Sequence, residues 1–180
     1  MLRLGVGQVT MKANQWRQLR RPKTLRVIAL EFEPNRNNVR SRLLLHMNTD
    51  IAAQKALDRL AKVGFDLLAE REKILAAVWT FEAQVVNQGF ARYFSSSAGD
   101  MAFYAPTAFK SIGALQKAEI AAKANGVFGA GGPPRDRKTR RELVRAFDAE
   151  AKRVFDALEM EFYQSPEDVD DLLEVYINKK

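Results

Sequence analysis

Apolar residues along most of this chain recur at helical intervals. Ala52, Ala56, Leu60, Val63 and Leu67 follow one another at steps of four, four, three and four, which marks one face of an amphipathic helix. Gly64 is expected to weaken or bend it. Ile74, Val78, Phe81 and Val85 predict a second helix over roughly 71–87. It stops at Asn87-Gln88-Gly89, where the glycine suits a left-handed backbone. Phe90, Tyr93 and Phe94 then make a short aromatic helical piece before a serine loop. Asp100 is expected to cap the next turn, and Pro106 to sit in the first turn of a helix with Phe109, Ile112 and Leu115 on its apolar face. Gly113 is a break, and 118–124 continues helically to Asn125-Gly126. The loop GVFGAGGPPRD is the clearest punctuation in the chain.

After that loop, Leu143, Phe147, Ala151, Val154, Leu158 and Phe162 predict one long helix. Thr139 with Glu142 forms a capping box for it, and Asp136 is an equally good cap. Ser165-Pro166-Glu167-Asp168 predicts a second capping box with proline at the first helical position. Val169, Leu172, Leu173 and Tyr176 form the last apolar stripe. No convincing period-two alternation occurs in this region, so the expected fold is all-α: one compact multi-helix domain over 47–180. Residues 1–46 lack sustained periodicity and are expected to be a basic, poorly structured extension. A polar capping run, Asn48-Thr49-Asp50, directly follows Met47, which suggests that the domain begins there.

Charge sharpens that division. Residues 1–46 carry ten Lys/Arg against Glu31 and Glu33, whereas 47–180 carry 19 Lys/Arg and 20 Asp/Glu. The overall net charge of +7 therefore belongs to the N-terminal segment. A basic arm of this kind suits contact with nucleic acid. The chain has no cysteine, which excludes disulfides, thiolate nucleophiles and Cys-based zinc sites and fits a reducing cytoplasm. Apolar runs fall far short of a membrane span.

Candidate chemistry is sparse. His46 is the sole histidine and lies in the extension, so a Ser-His-Asp triad or a histidine metal site is not expected. Glu82 and Asp100 are the best carboxylate pair, but Glu82 is better read as accepting from backbone groups freed at the Gly89-Phe90 turn. The glycines of GVFGAGG lack the Gly-Lys-Ser/Thr of a phosphate loop and read as a helix connection. Phe90, Tyr93 and Phe94 have the spacing of a core cluster more than of a base-stacking platform. No enzyme activity and no cofactor are expected.

Two charge clusters remain. Arg135, Arg137, Lys138, Arg140, Arg141 and Arg145 crowd a helix start, where cations oppose the helix dipole. Asp156, Glu159, Glu161, Glu167, Asp168, Asp170, Asp171 and Glu174 occur with no Lys or Arg among them. That second group is a candidate surface for a basic partner.

The segment FEAQVVNQGFARYFSSSAGD, Phe81 to Asp100, resembles the bacterial DNA-mimic proteins (DNA mimic protein 19 and relatives). It matches their Phe-Glu, Asn-x-Gly-Phe, Tyr-Phe and Ser-x-Gly-Asp pattern through Phe81, Glu82, Asn87, Gly89, Phe90, Tyr93, Phe94, Gly99 and Asp100. AFKSIGA, PPRDRKTRRE and FYQSPEDVDDLLEVYI extend the similarity to about Ile177. The resemblance implies a compact helical domain that acts without catalysis. It also implies an acidic surface that imitates DNA phosphates to occupy a DNA-binding regulator, with homodimers expected. A body of net charge −1 departs from that picture, leaving the C-terminal carboxylates to supply the acidity. The alternative is nucleic-acid binding through residues 1–46 and the Arg135–Arg145 cluster.

Overall fold

A computed structural model describes the backbone of residues 36–179 and the side chains of residues 48–179. Among the described residues there are seven α-helices and no strand. They are α1 (Arg36–Val63), α2 (Glu70–Ser95), α3 (Ala105–Ile112), α4 (Leu115–Gly126), α5 (Arg137–Ala146), α6 (Ala149–Gln164) and α7 (Val169–Asn178). A short 3₁₀ helix, Ser97–Met101, joins α2 to α3. The all-α expectation holds. The chain before residue 36, with most of the basic arm, lies outside the described residues, as does the side chain of His46.

Helix α2 is the central element, packing against α1, the 3₁₀ turn, α3, α5 and α6. The sequence explains why. Ile74, Val78, Phe81 and Val85 fall on one face, and all are buried. Gly89, with φ 78° and ψ 175°, then leaves helical geometry without ending the helix. The predicted left-handed glycine is there, but it makes a kink in one element and does not stop it. Beyond the kink Phe90, Tyr93 and Phe94 are buried. Phe81 sits at the hub of an aromatic core, with ring centroids 4.7 Å from Tyr93, 5.1 Å from Phe109, 5.6 Å from Phe162 and 5.8 Å from Phe90. Edge-to-face and tilted pairs at these distances add to simple area burial. These three aromatics are core, as their spacing predicted.

Several boundaries differ from the sequence pattern. Helix α1 runs unbroken through Met47-Asn48-Thr49-Asp50, so that polar run does not cap a helix. Gly64 takes φ 78° and follows the last helical residue; α1 stops there instead of bending. Leu67 falls outside the helix and is 71% exposed. Pro106 occupies the first turn of α3, and Gly113 ends it in a left-handed conformation, φ 88°, both as predicted. Leu115 is exposed and does not join the apolar face of Phe109 and Ile112.

The single long helix expected after the glycine loop is two helices. Phe147 adopts ψ 133°, and Asp148 begins α6 by accepting the Ala151 N–H at 2.8 Å. The spacing of apolar residues carries no trace of this break, because the register resumes in phase. Phe128 of the glycine loop packs between Phe94 and Phe147, at 4.8 and 5.0 Å. That loop is a plugged connection, as read. Helix α7 starts at Val169 with Asp168 as its cap, accepting the N–H groups of Asp170 and Asp171 at 3.0 and 3.3 Å. The cap expected at Ser165 lies three residues later, at Asp168, and Pro166 falls in the connection before the helix instead of at its first position.

Candidate functional site

Two places collect charge, and they are built differently. The first is the start of α5. Asp136 caps this helix by accepting the Thr139 N–H and hydroxyl, both at 2.7 Å. It is the second of the two caps predicted, and these bonds hold its carboxyl below the usual carboxylate range.

Arg140, four residues later, points inward and is fully buried. Its Nε donates to Phe94 O at 2.7 Å. Nη1 donates to Pro134 O and Arg135 O at 2.8 and 3.1 Å. Nη2 donates to Ser96 O at 3.2 Å and Asp100 Oδ1 at 2.6 Å. These bonds engage every nitrogen of the guanidinium, the condition under which a buried cation is tolerated. Arg140 thus closes the C-terminal end of α2, where carbonyls lack helical partners. It is scaffold, and the expectation that it belongs to an exposed basic cluster is corrected. Its clue in the sequence is Val144, four residues on and buried, which puts Arg140 on the apolar stripe of α5. Leu143, assigned to that stripe from sequence, is 40% exposed.

This bond network explains the Ser-x-Gly-Asp motif. A Cβ on Gly99 would meet Phe94 Cα and Tyr93 O at 2.9 Å and Arg140 Nε at 3.0 Å, so only glycine lets the turn close over the arginine. Asp100 does not cap a helix, because its carboxylate takes Arg140 and, in a second ion pair, Arg137. Burial alone would raise the Asp100 carboxyl. Hydrogen bonds and charge from Arg137 and Arg140 more than offset that and hold it below the usual range.

Glu82 does not serve the Gly89-Phe90 turn either. The Phe90 N–H donates to Glu159 Oε1 at 2.8 Å, from 69 residues away. Glu159 is buried, so it is removed from the list of partner-binding carboxylates. The kink at Gly89 leaves the Phe90 N–H in need of an acceptor, but nothing local in the sequence says which residue supplies it.

Around Arg140 the other cations stay outside. Arg135, Arg137, Lys138 and Arg141, with Asp100 and Asp136, line an open hollow of about 420 Å³. Arg145 is exposed on the same helix.

The second place is the C-terminal run of carboxylates. Helix α6 packs on α2 and α4, whereas α7 packs on α1 and α3. The run is therefore spread over two helices with different neighbours. On α6, Asp156 and Glu161 are exposed, and Glu161 pairs with Lys123 at 3.3 Å. Glu167, in the connection, accepts the N–H groups of Gln116 and Lys117, both at 2.8 Å, and so caps α4 from a distance. Asp168, Asp170, Asp171 and Glu174 remain exposed or half-buried on α7.

A third buried charge, beside Arg140 and Glu159, was also not predicted. Lys117 is fully buried, with Nζ 3.8 Å from the Phe162 ring centroid and 3.4 Å from Phe162 O. Its neighbours Ala118 and Ala121 offered no hint of a cation on that face.

The fold is a kinked central helix with an arginine sealed under its C-terminal end. Residues 66–180 match the model of the DMP19-like protein family, and the chain belongs to it. Neither a curated protein nor a solved structure matches the chain. No helix among the described residues is long and apolar enough to cross a membrane.

Proposed function

We propose that this domain is a non-catalytic interaction module that binds a DNA-binding regulator through α7. The observation that carries this reading is the density of carboxylates there. Asp168, Asp170, Asp171 and Glu174 fall within seven residues, with no Lys or Arg before Lys179. At about 1.5 Å of rise per residue, they supply roughly one charge per 2–3 Å of axis, close to the ~1.7 Å of duplex DNA. The +7 of the whole chain does not cancel this. Solvent ions screen exposed charges beyond about 8 Å, so local density decides what a docked surface meets. Family membership supports the same reading.

The test is capture from nuclease-treated host lysate with the full chain as bait. A retained DNA-binding protein that duplex DNA releases is the expected result. The variant D170N/D171N/E174Q should weaken that capture by about tenfold or more, the loss expected when charge complementarity is removed. It spares Asp168 and Glu167, whose oxygens cap helix starts, and Glu159, which serves the kink in α2. Undiminished capture by the variant would exclude α7. Capture seen only from untreated lysate, and lost on nuclease treatment, would replace this reading with the alternative of a basic, nucleic-acid-binding surface.

A further inference from the structure

The hollow at the start of α5 has no role in the acidic reading. Four cationic side chains line it against two carboxylates, and both carboxylates are already engaged. Asp136 is held by Thr139, and Asp100 by Arg137 and Arg140. Two of the cations are fixed in place. Arg137 is gripped by Asp100, and the Arg135 guanidinium lies 3.9 Å from the Phe103 ring centroid. The other two, Lys138 and Arg141, are exposed and have no carboxylate at ion-pair distance among the described residues. Helix stability does not account for them, since cations in the first turns oppose the dipole.

We propose that this hollow binds a phosphate group through Lys138 and Arg141, beside the preset guanidinium groups of Arg135 and Arg137. Planar guanidinium forks match phosphate oxygens, and an ammonium adds a mobile point charge. Arginines already held by other contacts lose less freedom when the ligand arrives. The side chains do this work, because Asp136 already occupies the Thr139 N–H. The openness of the hollow leaves room for the rest of the ligand. A small phosphorylated molecule and a nucleic-acid strand present the same oxygens, so the site is independent of whether the chain binds nucleic acid.

Titration of the full chain with sodium pyrophosphate, followed calorimetrically, tests the proposal. Saturable binding should weaken by about tenfold in K138Q/R141Q and by less than about twofold in R145Q, which alters the same helix outside the hollow. Thermal unfolding of K138Q/R141Q should match the parent, since neither side chain supports the fold. Absence of saturable binding up to about 10 mM pyrophosphate, or equal losses in both variants, would overturn the proposal. Competition with a single strand of about 12 nucleotides then separates the sources. Displacement of pyrophosphate assigns the site to strand phosphates, and failure to displace it assigns the site to a small phosphorylated molecule.

Discussion

The start of α5 and the start of α7 are both charge-rich, yet the fold uses their charges in opposite directions. At α5 one arginine is drawn fully inside and satisfied by four carbonyls and a carboxylate. At α7 the carboxylates stay at the surface, and the cap Asp168 serves its own helix. The contrast teaches that a run of like charge in a sequence is not one object. It divides into members that hold the fold and members that face solvent. Only side-chain destination separates the two.

The largest expected effect comes from breaking the inward side. Arg140→Met should cost about 3–5 kcal/mol in chemical denaturation, because it strips a buried network of its donor and leaves carbonyls unpaired. Arg140→Lys should recover only part of this, since one ammonium cannot span the same acceptors. Little loss in either variant would show that Arg140 does not seal α2. Gly99→Ala comes next, at about 1–3 kcal/mol, because the added Cβ meets backbone atoms that cannot step aside.

Glu159→Ala should cost about 1–3 kcal/mol by orphaning the Phe90 N–H, while Glu159→Gln keeps an acceptor and should cost less. Equal costs would locate the contribution in charge. Acid sharpens the comparison further. Asp100 has a folded pKa below its unfolded value, so its contribution is present above about pH 4 and is lost as pH falls through the folded value. Stability measured from pH 6 downward should therefore fall more steeply in the parent than in Asp100→Asn. Parallel curves would contradict the pairing with Arg137 and Arg140. The smallest effect belongs to the outward side: D170N/D171N/E174Q should shift folding by only a few tenths of a kcal/mol per site, as surface changes do.

Much of this was legible in the sequence. Apolar steps of three and four located the helices, and Gly89 and Gly113 were identifiable because a positive φ leaves a residue-type signature. Buried Phe81, Phe90, Tyr93 and Phe94 followed from spacing. What escaped is what spacing does not encode. The break at Phe147-Asp148 keeps the apolar register, so period alone reads straight across it. Arg140 and Arg141 are adjacent and chemically identical, and only the stripe through Val144 distinguishes them. Glu159 was passed over in favour of Glu82 because the acceptor for the kink comes from 69 residues away, and no local pattern announces a contact of that range. Ser165 was read as the cap of the last helix with Glu167 and Asp168 in its first turn, whereas Asp168 caps that helix and Glu167 caps α4.

The way α2 is finished has a consequence for how the chain is made. Its kink is closed by residue 159 and its last carbonyls by residue 140, both far behind it in order of synthesis. An emerging chain that ends after α4 has its central helix built but unsealed at the bend and at the tip, with an aromatic face still uncovered. Such a fragment invites aggregation. The last third of this protein is the closure of its middle, and the helix that organises the fold is among the last parts of it to be completed.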